Sequence, residues 1–233
     1  MRVVGPAKPN PELAAIEVSA MRGLEIGPLA NPRIRKSDGQ VFYLDRSSTE
    51  ELRSKYAENE TLRPHIGSLV DVDFVQRDGM NLSETVGSHA PFDYVVASHV
   101  VEHIPNLIGW LQDVASVLRV GGILALVVPD KRYCFDTNRT PTEMSDLVDS
   151  HLRQLSHPSY RHIYDNFSRT VTVDGMVDTV GLWEGTVDYA GTVRSDVPNP
   201  GLAAFQMCLA HRDQPDTPID IHCHAFTPES FLR

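Results

Sequence analysis

The chain has 233 residues and a formal net charge of −10, with 41% hydrophobic and 22% charged residues. These proportions are ordinary for a globular protein, and the length suffices for one large domain or a domain with a sizeable insert. An acidic surface repels phosphate backbones and offers no basic face to an anionic membrane. We therefore expect no nucleic-acid partner and no membrane insertion.

The three cysteines, Cys134, Cys208 and Cys223, are widely spaced and form no CxxC pair, so the sequence indicates neither a zinc site nor a redox motif. The N-terminal residues contain no apolar core of a secretory signal, and no run approaches the roughly 18 apolar residues of a membrane span. An odd cysteine count without a signal favours a cytoplasmic protein.

Apolar runs alternate with helical patterns over the first 130 residues. The expected strands are residues 22–27, 40–45, 72–76, 92–98 and 123–128. Either Ser47 or Ser48 should cap a helix that runs to about Glu58. This alternation predicts a doubly wound α/β domain with a Rossmann-like sheet.

The end of this region carries a second helix and a strongly apolar strand. Residues 107–118 have helical spacing, and Gly121-Gly122 is expected to end that helix. The fifth run, 123–128, is apolar on both faces, as a parallel sheet at the centre of a fold requires.

After Pro129 the pattern becomes polar and is interrupted by prolines and glycines. Residues 131–218 are interpreted as a long insert between the fifth and sixth strands that binds the substrate. Within it, 146–155 resembles a helix and 170–193 contains β-type runs. Residues 219–226 predict the sixth strand, and Thr227-Pro228 has the signature of a helix start. The expected divisions are a core at 1–130, an insert at 131–218 and a return to the core sheet at 219–233.

In an open α/β sheet, ligands bind beyond the carboxyl ends of the strands. The polar residues at those positions are Glu25 and Gly27, Asp45, Asp78, Ser98 and His99, and Asp130. A carboxylate 20 residues after the first turn suits the vicinal hydroxyls of a ribose, and an acceptor after the third strand suits the amine of an adenine.

Five stretches in this order resemble the class I S-adenosylmethionine-dependent methyltransferases, closest to a broad bacterial "type 11" group. They are Gly23-Leu-Glu-Ile-Gly-Pro28, Phe42-Tyr-Leu-Asp45, Val75-Gln-Arg-Asp78, Phe92-Asp-Tyr-Val-Val-Ala-Ser-His-Val-Val-Glu-His-Ile-Pro105 and Leu118-Arg-Val-Gly-Gly-Ile-Leu-Ala-Leu-Val-Val-Pro129. The resemblance covers residues 20–135 and returns at 222–231. In this family the turn after the first strand usually contains further glycines, whereas in this chain Leu29-Ala-Asn-Pro32 follows Gly27-Pro28.

The resemblance implies S-adenosylmethionine as the cofactor. It places Glu25 and Gly27 beside the methionine part, Asp45 on the ribose, Asp78 with the Gly79-Met80 backbone around the adenine, and Ser98 and His99 under the sulfonium. The full expected cofactor site is Glu25, Gly27, Pro28, Asp45, Asp78, Gly79, Met80, Ser98, His99 and His103.

Methyl transfer to an oxygen needs a base, or a cation that lowers the pKa of the acceptor. The candidate catalytic groups are His99, Asp130, His162, His222 and His224. His222 and His224 would share one face of a strand. A divalent metal such as Mg²⁺ is an open alternative, and no metal ligand is assigned.

The polar insert leads us to expect O-methylation of a sugar, glycan or glycosylated small molecule, with another polar small molecule as the alternative acceptor. A nicotinamide-dependent oxidoreductase is disfavoured because the GxGxxG fingerprint is absent. A non-catalytic Rossmann-like binding module is supported only by the altered glycine turn. A nucleic-acid methyltransferase is disfavoured by the charge and by the lack of a basic module.

Simpler structural roles compete at several of these positions. Asp45 could cap the following helix, Asp78-Gly79 could be a turn, and Glu102 and His103 could serve packing. The family fold usually finishes with a seventh strand, and its absence after residue 233 would leave an exposed sheet edge. This leads us to expect either a longer natural chain or a homodimer.

Overall fold

The computed structural model describes residues 10–58, 63–173, 177–192, 197–215 and 217–232. The chain divides into two compact units. We name them the sheet unit, which comprises residues 1–100 and 111–127, and the helical unit, which comprises residues 101–110 and 128–233.

The sheet unit contains five parallel strands in the order β3-β2-β1-β4-β5. Their bounds are β1 Arg22–Ile26, β2 Gln40–Asp45, β3 Phe74–Val75, β4 Phe92–Ser98 and β5 Leu118–Val127. The order reverses direction beside β1, as in a doubly wound sheet. The predicted α/β fold with a Rossmann-like methyltransferase sheet is therefore confirmed.

Two short helices belong to the sheet unit, α1 (Thr49–Tyr56) and α2 (Leu82–Val86), and α3 (Leu107–Val117) begins in the helical unit and ends in the sheet unit. Ser48 rather than Ser47 caps α1. Its Oγ accepts the Glu51 N–H at 3.2 Å, and the Ser48 N–H donates to the Glu51 carboxylate at 2.6 Å. This reciprocal pair is a capping box, which the Ser-x-x-Glu spacing encodes.

The predicted start of β5 was wrong. The strand begins at Leu118, directly after α3, and Gly121 lies within it with a φ angle of +75°. This angle is open to glycine at little cost, and the register with β4 shifts between Phe92 and Tyr94. The two glycines therefore bend a strand rather than end a helix.

β5 lies at one edge of the sheet. In the described part of the chain it pairs only with β4, and the interior strands are β2, β1 and β4. The core on one side of the sheet is formed by residues from several elements: Ile16, Ile34, Val41, Tyr43, Tyr94, Val96 and Ala125.

The helical unit contains α4 (Met144–Leu152), α5 (Tyr160–Arg169), α6 (Thr179–Glu184), α7 (Pro200–Asp213) and α8 (Pro228–Phe231). A small core joins Ile163 of α5 to Ile221 and Cys223. Of the β-type runs predicted at 170–193, only bridge residues at Thr172 and Val173 are found among the described residues, and α6 lies at 179–184 with Asp178 as its cap. Across the described ranges, no helix combines the length and apolar character needed to cross a bilayer.

The sixth strand predicted at 219–226 is not formed. Phe226 makes a single parallel bridge to Asp130. The other backbone groups bond to loops: the His224 N–H donates to the Glu102 carbonyl oxygen at 3.1 Å, and the Ala225 N–H donates to Thr142 Oγ1 at 3.0 Å. Residues 219–232 group with the helical unit, and α8 starts at Thr227-Pro228 as predicted.

We expect Ser48→Ala to lower the free energy of unfolding by about 1 kcal/mol, because the Glu51 N–H in the first turn of α1 loses its partner, Ser48 Oγ. Ser47→Ala is the matched control and should change it by less than about 0.5 kcal/mol. Urea denaturation of the two variants measures the difference. Equal destabilisation by both would contradict the assignment of the cap.

Candidate functional site

The chain turns away from the sheet at Gly27, directly after β1. The Gly27 N–H donates to the Leu44 carbonyl oxygen at 2.8 Å, and the φ angle of Gly27 is +66°. A Cβ atom at this position would lie 3.2 Å from a methyl carbon of Val100. The available space and the backbone angle therefore both favour glycine.

The side chain of Glu25 closes the loop that follows this turn. Glu25 lies in β1, and only 1% of its surface is exposed. Its carboxylate accepts the backbone N–H of Arg33 at 2.7 Å and that of Ile34 at 3.1 Å. Burial raises the pKa of Glu25, and the two N–H donors oppose this shift. The carboxylate thus ties the far end of the loop to the strand from which the loop departs.

Arg33 connects the same loop to the end of β4. Its Nε and Nη2 donate to Ser98 Oγ at 3.1 and 3.0 Å, and its Nη1 lies 3.6 Å from the Glu12 carboxylate. Arg33 was not predicted from the sequence, because one arginine in a polar loop belongs to no motif. Its role becomes visible only through the contacts with Glu25 and Ser98.

A cavity of about 570 Å³ lies at the carboxyl ends of β1 and β4. Five of the predicted cofactor residues line it: Glu25, Gly27, Pro28, Ser98 and His99. The other lining residues are Leu29, Ala30, Asn31, Arg33, Tyr56, His65, Ile66 and Leu69. The last four come from the end of α1 and the turn after it, where no sequence motif marked them.

The backbone around this cavity is strained at two non-glycine residues. Among the described residues, Leu29, His99 and Gln154 have a positive φ and are not glycine, and the first two line the cavity. His99 has a φ of +55°, and its N–H donates to the Val127 carbonyl oxygen at 2.9 Å. Such strain concentrates at functional sites, so it supports a role for this turn.

Asp45 and Asp78 follow neighbouring strands but do not line the cavity. Asp45 pairs in register with Val75, and its carboxylate accepts the Ser47 N–H at 3.1 Å. Burial raises the pKa of Asp45, against the effect of backbone N–H groups. The side chain of Asp78 is 75% exposed and pairs with Arg46. Both carboxylates lie at the same edge of the sheet, beyond β2 and β3.

The two residues after Asp78 give the turn predicted there. Gly79 has a φ of +82°, which favours glycine, and the side chain of Met80 is 41% exposed. The Met80 carbonyl oxygen accepts a hydrogen bond from Gln76 Nε2 at 3.0 Å.

The remaining predicted residues, His103, Asp130, His162, His222 and His224, lie in the helical unit. Asp130 caps the short turn at 131–133, and its carboxylate accepts two hydrogen bonds from Arg132 Nε and one from Nη2. Burial would raise the pKa of Asp130, but the bonds from Arg132 outweigh it and lower the pKa. This arrangement leaves Asp130 poorly suited to accept a proton.

His162 and His224 line a second cavity of about 390 Å³ within the helical unit. Burial lowers the pKa of His162 to about 4 and that of His224 to about 3, so both rings are neutral at pH 7. His162 Nδ1 accepts the Ser159 N–H at 3.2 Å. His224 Nε2 donates to the Ile104 carbonyl oxygen at 2.9 Å.

The polar lining of this second cavity combines guanidinium, hydroxyl and carboxylate groups: Arg139, Arg161, Arg169, Thr140, Thr142, Tyr164, Glu143, Asp146 and Asp165. None of these residues was predicted from sequence. They are dispersed along 31 positions of the insert with no repeated spacing, and only α5 and the 139–146 segment bring them together.

His222 faces a buried ion pair rather than the second cavity. Its Nδ1 lies 2.5 Å from Asp136 Oδ2, and the other oxygen of Asp136 accepts from Arg139 Nη1 at 2.9 Å. Arg139 also bonds to Asp165 at 2.8 Å. His103 lies beside His222, with ring centroids 4.6 Å apart.

Comparison with known proteins places the chain in a family. Residues 11–182 match a family described as a methyltransferase domain. No curated protein matches the chain.

Among solved structures, the chain is similar to the CcbJ methyltransferase from Streptomyces caelestis, with 18% identity over 57% of this chain and 53% of that one and a TM-score of 0.36. It is also similar to the CurJ carbon methyltransferase, with 18% identity over 60% of this chain and 34% of that one and a TM-score of 0.32. The match therefore spans about half or less of those proteins. Because the family match covers more than half of the sequence, the chain belongs to the methyltransferase-domain family.

Proposed function

We propose that the sheet-unit cavity binds S-adenosylmethionine and that the methyl acceptor is a hydroxyl group of a sugar, glycan or glycosylated small molecule. The cofactor assignment depends on one observation above all: Glu25 and Arg33 close the loop after Gly27 beside Ser98. The cavity volume of about 570 Å³ is within the range of about 300–1,000 Å³ that is usual for small-molecule sites.

The two carboxylates at the sheet edge are hydrogen-bond acceptors that suit this cofactor. Asp45 can accept both vicinal hydroxyls of a ribose, and Asp78 can accept an adenine amine. Gly27 lets the backbone approach the ligand closely. When bound, S-adenosylmethionine supplies a methyl group that its positively charged sulfur already activates.

His99 is the base candidate that the geometry favours. It is the one residue of the five proposed catalytic groups that lines the sheet-unit cavity. The other four proposed groups, Asp130, His162, His222 and His224, do not line that cavity. In our proposal, His99 takes the proton from the acceptor hydroxyl as the methyl group is transferred.

The helical-unit cavity supports a hydroxylated acceptor. Carboxylates such as Asp146 and Asp165 can accept hydrogen bonds from sugar hydroxyls, and the Arg161 guanidinium can donate to their oxygens. Threonine and tyrosine hydroxyls in the same lining can do both. An apolar acceptor would form no hydrogen bonds with these groups to replace those of the water it displaces, at a cost in binding free energy.

We expect Glu25→Gln to lower the free energy of unfolding by about 1–3 kcal/mol, because the amide nitrogen would face a backbone N–H that now donates to the carboxylate. The loop from 27 to 34 would loosen, and affinity for S-adenosylhomocysteine should fall with it. Glu17→Gln, at an exposed position, is the control. Denaturation and calorimetry measure the two effects, and unchanged values for Glu25→Gln would contradict the role of the clamp.

Asp45→Ala should weaken binding of S-adenosylhomocysteine about 10- to 100-fold, because charge-assisted bonds to the ribose are lost. A 2′-deoxy analogue of S-adenosylhomocysteine tests the assignment further. Wild type should bind this analogue more weakly than S-adenosylhomocysteine itself, whereas Asp45→Ala should bind the two ligands with nearly equal affinity. Asp71→Ala is the control, since the Asp71 side chain is 90% exposed. If Asp45→Ala retained the preference for the ribose hydroxyl in calorimetry, the assignment would be wrong.

The acceptor is tested by incubating the protein with a panel of sugars and glycosides and with S-adenosylmethionine that carries a labelled methyl group. We expect the label to pass to members of the panel, in a product that resists mild base as an ether does. His99→Asn should lower kcat about 100- to 10,000-fold while affinity for S-adenosylhomocysteine is retained. Asparagine tolerates the positive φ of this position, so the backbone should not rearrange. Transfer to nitrogen or carbon acceptors in place of hydroxyls would overturn the acceptor proposal and leave the cofactor site standing.

A further inference from the structure

Three potential metal ligands converge within the helical unit. One donor atom from each of Glu102, His103 and His222 lies within 4.8 Å of the other two. Glu102 and His103 belong to a short turn at Val101–His103, and His222 lies in the extended stretch before α8. Two bonds fasten these segments together: the His224 N–H donates to the Glu102 carbonyl oxygen, and Cys223 Sγ lies 3.5 Å from the His103 carbonyl oxygen.

Each histidine of this cluster has a carboxylate at its Nδ1 atom. His222 Nδ1 lies 2.5 Å from Asp136 Oδ2, and His103 Nδ1 lies 3.1 Å from Asp220 Oδ1. A carboxylate at one ring nitrogen fixes the tautomer and raises the basicity of the other nitrogen, which is the usual arrangement around metal-binding histidines. In the His222 ring, Nε2 is therefore the nitrogen that remains for a metal.

The carboxylate that contacts His222 Nδ1 is itself held in place. Asp136 is buried and bonds to the equally buried Arg139 at 2.9 Å. The contact between Asp136 and His222 therefore has a fixed geometry.

We propose that Glu102, His103 and His222 form a binding site for a divalent transition-metal ion, with Asp136 and Asp220 orienting the two histidines. Two imidazoles and one carboxylate match the ligand preference of ions such as Zn²⁺, Co²⁺ and Fe²⁺, whereas Mg²⁺ prefers an all-oxygen set. Three protein ligands leave further coordination positions for water or a substrate oxygen. Binding of the metal does not depend on the proposed acceptor or cofactor site.

The spacing requires a modest contraction. Donor atoms bound to one tetrahedral metal lie about 3.4 Å apart, given bonds of roughly 2.0–2.2 Å. The three donors, now up to 4.8 Å apart, must close by on the order of 1 Å. Side-chain rotation of the three ligands would have to supply this movement.

Cobalt titration of the untagged chain tests the proposal. After treatment with a chelator and dialysis, we expect Co²⁺ to bind in one equivalent with visible absorption bands of low-symmetry coordination, and Zn²⁺ to displace it. Glu102→Gln and His222→Ala should weaken binding at least about 100-fold, and Asp220→Asn about 10-fold through its effect on His103. His157→Ala, at an exposed histidine outside the cluster, is the control and should bind as wild type does.

The outcomes separate a metal site from a purely structural hydrogen-bond network. Absence of the cobalt bands in wild type, or wild-type binding by Glu102→Gln, would overturn the proposal. Equal weakening by His157→Ala would do so too, because it would indicate nonspecific binding. The Asp220 side chain is 72% exposed, so Asp220→Asn should fold even if His222→Ala does not. No cofactor is present in the titration, so its result and that of the methyl-transfer assay are independent.

Discussion

The buried carboxylate of Glu25 is the constraint on which the sheet unit depends. Glu25 lies in a central strand, in register with Tyr43 of β2 and Val96 of β4. An isolated charge at such a position would cost several kcal/mol, and the backbone N–H groups of Arg33 and Ile34 offset that cost. The loop after Gly27 must therefore return to β1, and its return brings Arg33 to Ser98. The shape of the cavity follows from the need to satisfy this one acid.

The helical unit is organised around a comparable constraint of opposite charge. Arg139 is buried and is surrounded by Asp136, Asp165 and the Cys223 carbonyl oxygen. Breaking such a network would strand a buried charge, so these segments are fixed relative to one another. His222 inherits its orientation from Asp136. The same network therefore accounts both for the packing of this unit and for the geometry of the Glu102, His103 and His222 cluster.

His222 and His224 are close in sequence, but their rings have different surroundings because their nitrogen atoms contact different groups. His224 is fully buried against a carbonyl oxygen and is neutral, whereas His222, two residues earlier, faces a carboxylate. The expectation that the two would share one face of a strand assumed a ladder of strand bonds. Residues 219–226 instead bond to loops, so the alternation of side chains in a strand does not predict which of these groups act together.

The sequence by itself determined the order of the first five strands along the chain, a serine cap of α1 at Ser47 or Ser48 and the glycine at position 27, because each depends on local propensity or on contacts a few residues apart. It also identified Glu25, Ser98 and His99, since residues at strand ends converge in any parallel sheet. Only the tertiary structure decided that Arg33 and Tyr56 line the cavity and that β5 is an edge strand. It alone brought Glu102 and His103 to His222, about 120 residues away. Contacts between residues so far apart in sequence depend on which partners the buried charges and backbone groups find in the folded protein. The periodicity of the sequence does not predict those partners.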